Sequence, residues 1–125
     1  MGGTDRARPP GWPADLPGPA SGEFTARAGG WLLDRCPPSV REQSAIRNHL
    51  PVLAWVAVGL AQAELDGWRV AYARARAELR DRCEPEALEA VMMSLEANGH
   101  VAAAALREVR LVEEALLGKV WRPKL

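Results

Sequence analysis

The 125 residues contain only two cysteines, two histidines, one phenylalanine and one tyrosine. Cys36 and Cys83 form no CxxC and no regular framework, which excludes a secreted disulfide scaffold and suits a reducing compartment. Neither His49 nor His100 completes a zinc-type ligand spacing with them. A cysteine and a histidine can make a nucleophile and base, but no elbow, oxyanion loop or third orienting residue accompanies them here. The Glu-x-x-His step of helical metal carboxylate sites is missing as well. No catalytic, cofactor or metal residue is therefore assigned.

Charge of one sign is also missing. Lys plus Arg and Asp plus Glu are 16 each, so no overall field draws the chain to nucleic acid or to acidic lipid. Long hydrophobic runs are absent. Residues 50–61 carry no charge, but a membrane span needs roughly 18 to 20 apolar residues. Residues 1–22 are rich in Gly and Pro where a signal peptide would need a continuous apolar stretch. A cytoplasmic protein with no membrane partner is expected.

What is present is helical periodicity. Ala54, Val58, Ala61, Leu65, Trp68, Tyr72, Ala75 and Leu79 recur at steps of four and three, which keeps one seam toward one partner. Val91, Leu95, Asn98, Ala102, Ala105, Val109, Val112 and Leu116 answer it, with Asn98 the one polar member. Only Cys83-Glu84-Pro85 separates the two arms, so a tight reversal and antiparallel packing follow. Local charge agrees: residues 51–83 hold five Arg against four acids, and residues 84–125 hold five basic residues against seven Glu.

The expected fold is all-α: a long antiparallel helical hairpin with two shorter N-terminal helices, able to form a four-helix bundle through dimerisation. The helices are placed at about residues 23–35, 39–48, 51–82 and 85–117 of a single domain spanning 22–118. Residues 1–21, with five prolines between Pro9 and Pro19, read as a disordered arm that buries too little to offset its ordering entropy. Trp12 within it is either a docking anchor or rests on its own domain. Ser21 is placed as the first cap, and Ser39 with Glu42 reads as a capping box for the second helix.

Gly29-Gly30 suggests a close helix crossing. Val52, Leu53, Trp55, Val56, Val58 and Leu60 surround the start of the third helix, where the two preceding helices are expected to cover them. Asn98-Gly99 is a turn signal inside the last helix. The apolar repeat crosses it in phase, so one bent helix is expected, with Gly99 accommodating Trp68.

The stretch Trp31-Leu32-Leu33-Asp34-x-Cys36-Pro37-Pro38, followed by an Ala- and Arg-rich hairpin, resembles small uncharacterised all-helical proteins of high-GC bacteria over residues 22–125. The resemblance implies a bacterial cytosolic setting and a helical fold, and supplies no activity.

Two surfaces remain for function. Near the reversal, Leu79, Leu88, Met92 and Met93 are expected to lack a cover, and methionine adapts to varied partner shapes. With Trp121 in the basic tail of residues 119–125, they are the candidate partner-binding residues, for another protein or a second copy of the chain. Arg69, Arg76 and Arg80 are the candidate nucleic-acid contacts. Interleaved acids and the lack of a base-stacking platform weigh against that alternative. The sequence thus points to a non-catalytic interaction module, an adaptor or regulatory subunit.

Overall fold

A computed structural model describes residues 8–118, and among them every regular element is a helix. Helix α1 spans Phe24–Leu33, a 3₁₀ helix spans Pro38–Glu42, α2 is a single turn at Ser44–Arg47, and α3 and α4 run from Leu50–Leu79 and Pro85–Leu116. The two long helices make the expected antiparallel hairpin. The described chain divides into two compact units, where one domain was expected. The first comprises the described residues up to Leu60 with those from Arg107 on, and the second is Ala61–Leu106.

The first unit has a full core. Phe24, Ala28, Trp31 and Leu32 form the inner face of α1 at helical spacing. They meet Leu53, Ala54 and Ala57 of α3 and Val109 and Val112 of α4 in one cluster. A Cβ on Gly29 would lie 3.3 Å from Leu50 Cδ2, so the expected close approach falls at Gly29. Next to Gly30 the space is open. Helix α1 stops before Cys36-Pro37-Pro38, because a proline disfavours helical geometry in the preceding residue. Arg35 finishes it by donating to the Trp31 carbonyl at 3.0 Å and stacking 3.6 Å over the Trp31 ring.

The N-terminal arm is the largest departure from expectation. Residues 9–18 wrap onto this core in two successive turns, closed by Trp12 N–H to the Pro9 carbonyl and Leu16 N–H to the Pro13 carbonyl. Leu16 is 1 % exposed. The Trp12 indole N–H reaches the carbonyls of Leu16 and Pro17 at 3.1 and 3.2 Å, and its ring lies 5.5 Å from that of Phe24. Trp12 thus rests on its own domain.

Asp15 anchors the strap, accepting from Trp31 Nε1 at 2.9 Å and from Arg35 at 3.1 Å. The Trp31 hydrogen bond, aided by Arg35, holds the Asp15 carboxyl below the usual carboxylate range. Proline explains the departure: it restricts the unfolded chain, so ordering this segment costs less entropy than its length implies.

Two expected caps form differently. Ser21 Oγ accepts from Glu23 N–H at 3.2 Å in the turn before α1, and the α1 N-cap itself has no side-chain bond. The Ser39–Glu42 capping box does not form. Pro37 is extended, Pro38 already opens the 3₁₀ helix, and Ser39 falls inside it. The expected second helix is therefore split into that 3₁₀ turn and α2. Cover over the start of α3 is partial: Leu53, Ala54 and Ala57 are enclosed, while Trp55 is 71 % exposed and Val52 lies open beside it.

In the second unit the two long helices pack on each other without a third layer. Arg82 N–H bonds the Leu79 carbonyl at 2.8 Å as the chain reverses. Helix α4 then opens on Pro85 and Glu86, where a missing N–H and a negative charge suit a helix start. Ala75, Leu88 and Met92 form a small cluster with Leu79, Cys83 and Leu95 against it. Farther along, Leu65, Ala102 and Leu106 are buried.

The inward face of α4 keeps Leu95, Ala102, Val109 and Val112 as expected, and differs where Met92 and Leu106 are buried in place of their neighbours Val91 and Ala105. Leu88, Met92, Ala102 and Leu106 are buried with Leu95 beside them, whereas Asn98 is exposed and donates to the Ser94 carbonyl at 2.8 Å. Helix α4 is continuous across Asn98-Gly99.

Candidate functional site

The chemistry-bearing residues are scattered between the units. Cys36 borders the first core and Cys83 the second cluster, both as free thiols, and burial pushes the Cys36 thiol up. His49 Nδ1 donates to the Ala45 carbonyl at 2.9 Å. Among the described residues no three His, Cys, Asp or Glu side chains are placed to share a metal ion. None of their helices is long and apolar enough to cross a membrane.

The surface residues of the second unit show more order. Arg76 of α3 and Glu89 of α4 bridge the arms through both carboxylate oxygens. Hydrogen bonding and charge attraction raise the Arg76 pKa and lower that of Glu89. One heptad along each arm stand Arg69 and Glu96, in the same mutual relation, but no ion pair closes between them. The Glu96 carboxylate instead stands 3.8 Å from His100 Nε2 on its own helix. A groove of about 420 Å³ opens there, bordered by Arg69 and Glu96 and lined by Leu65, Trp68, Tyr72, Leu95, Gly99, His100 and Ala103.

A Cβ added to Gly99 would meet nothing within 4 Å. Trp68 therefore does not fill the space over the glycine as expected; the missing side chain leaves the groove open. Between the two charged levels lie Tyr72, 42 % exposed, and Met93, 74 % exposed. Tyr72 belongs to this outer face, not to the seam to which its spacing assigned it. Beside the seam, a second groove of about 440 Å³ runs past Val70, Ala71, Leu79 and Val91, edged by Arg74, Glu78 and Arg82. Arg74 and Glu78 are already paired.

The expected partner residues therefore separate. Leu88 and Met92 are 9 % and 5 % exposed, enclosed by the opposing arm as part of the inward face of α4. Leu79 is half-buried against them. Met93 alone of the four is open. Trp121 lies outside the described residues. Of the arginines, Arg76 is held by Glu89, Arg69 borders the groove, and Arg80 is exposed one turn beyond Arg76.

Sequence reasoning missed Gly99 and Tyr72 as surface features, whereas Glu96 lies on the surface as its position predicts. The legible signal was the seven-residue step in both Arg69/Arg76 and Glu89/Glu96. Comparison with family models, curated proteins and solved structures finds no match for this chain.

Proposed function

We propose that the chain is a non-catalytic protein–protein interaction module, an adaptor or regulatory subunit, that binds through the outer face of its second unit. The observation that carries this reading is an open apolar groove lined by Tyr72 and bordered by Arg69 and Glu96, with Met93 exposed between Glu89 and Glu96 along α4. An apolar centre with a charged rim is the usual anatomy of a protein interface, and aromatic and methionine side chains are enriched there. Two unpaired thiols suit a reducing, cytoplasmic setting.

Nucleic-acid association through Arg69, Arg76 and Arg80 has less support. Glu89 neutralises Arg76, and Glu96 stands across the groove from Arg69.

The test is comparative capture from the native cell, using the intact chain and Met93→Glu. Met93 holds no core contact, so the variant keeps its helical circular dichroism. Proteins recovered by the native chain and lost with Met93→Glu support the reading. An identical recovered set overturns it.

A further inference from the structure

We infer that the occupant of this face is a second copy of the chain, related by a twofold axis running along the helices, so that α3 of one copy lies over α4 of the other. The inference rests on the interaction reading above and commits it to one partner and one geometry.

The second unit buries Leu65, Ala75, Leu88, Met92, Ala102 and Leu106, while Tyr72, Met93 and the groove over Gly99 remain open to water. Apolar surface of this kind is stabilised by a further layer, and four-helix bundles supply it by stacking one helix pair on another.

The charges then select the arrangement. Arg76 and Glu89 face each other across the arms, as shown by their bidentate ion pair. Tyr72 and Met93 are one turn farther along each arm, and Arg69 and Glu96 complete a heptad. All the arginines of this ladder belong to α3 and all the glutamates to α4.

A twofold axis along the helices preserves height and exchanges left for right. It therefore sets Arg69 against the second copy's Glu96, Arg76 against Glu89, and Tyr72 against Met93. Every charged contact is attractive, and the central one is a sulfur–aromatic contact. A twofold axis across the helices would lay α3 on α3 and α4 on α4, bringing arginine to arginine and glutamate to glutamate. The face is thus self-complementary about one axis and self-repelling about the other.

Because Arg69 and Glu96 are not bridged within one chain, reversing either charge leaves the isolated fold intact. The experiment is sedimentation equilibrium on the full chain, on Arg69→Glu, on Glu96→Arg, and on an equimolar mixture of the two variants. Melting curves confirm that each is folded.

The native chain is expected to be a dimer. Each variant alone places like charges together twice and weakens self-association by about tenfold or more. In the mixture, the Arg69→Glu chain is acidic at both positions 69 and 96, and the Glu96→Arg chain is basic at both, so the two contacts are attractive again. Heterodimers therefore form with close to native affinity.

A native chain that stays monomeric at roughly a hundred micromolar, well above the micromolar range of ordinary specific pairs, overturns the inference. So do dimers indifferent to both reversals, and so does a mixture no stronger than its components. A monomer that still captures a partner in a Met93-dependent manner defeats only the self-pairing. A monomer that captures nothing defeats the interaction reading as well.

Discussion

The same two helices are buried differently in the two units. In the first, α3 and α4 are met by α1 and by the proline strap, and large side chains fill the space: Trp12, Phe24, Trp31, Leu53 and Val112. In the second they have only each other, and the buried side chains are Leu65, Ala75, Leu88, Met92, Ala102 and Leu106, with no aromatic ring among them. A helix pair covered on one side only buries less apolar area than one met by further layers, and hydrophobic stabilisation scales with the area removed from water. The contrast shows that a seam can be continuous while the stability along it is not. The less covered unit is also the one whose outer face carries paired charges around open apolar groups.

Truncating Trp31 gives the largest expected effect, because it removes a buried ring, the donor to Asp15 and the platform for Arg35 at once. Trp31→Ala is expected to cost about 3 to 5 kcal/mol in urea denaturation. A loss near 1 kcal/mol would mean that the first core is no better packed than the second, and the comparison would collapse.

An intermediate effect is expected within the second unit. Met92→Ala should cost about 2 kcal/mol, whereas Met93→Ala, in dilute monomer, should stay within about 0.5 kcal/mol. Equal losses at these adjacent positions would place the inward face of α4 elsewhere.

The smallest test compares two glycines. Gly99→Ala should raise stability by up to about 1 kcal/mol, since helix propensity improves and the new methyl enters open space. Gly29→Ala should gain less, because its Cβ would press to 3.3 Å on Leu50. The reverse order, read from thermal melts, would contradict the open groove.

The helical architecture was legible because alternating steps of four and three, a short reversal and Pro85-Glu86 all point the same way. The face of α4 was harder to assign. Apolar residues stand at both 91 and 92 and at both 105 and 106, so two stripes fit the same repeat. The deciding positions were 92 and 106, where the larger side chain of each adjacent pair is the buried one. The strap was illegible for a different reason. Proline content lowers the entropy of the unfolded chain as well as interrupting helices, and composition alone does not separate the two effects. For the candidate site, Met93 and Arg69 were visible in the sequence. Their relation to Tyr72 and Glu96 required knowing how the arms are levelled, which the Arg76–Glu89 bridge provides.

Completion of the first core has a consequence for how the chain is made. Its residues come from positions 12 to 57 and then from 109 and 112, so about fifty residues must be synthesised between the two sets of contacts. During translation at roughly 5 to 20 residues per second, Trp12, Phe24 and Leu53 wait several seconds for their last neighbours. The intervening hairpin is built from contacts local in sequence and can fold first, which shortens the loop that the later closure must draw in.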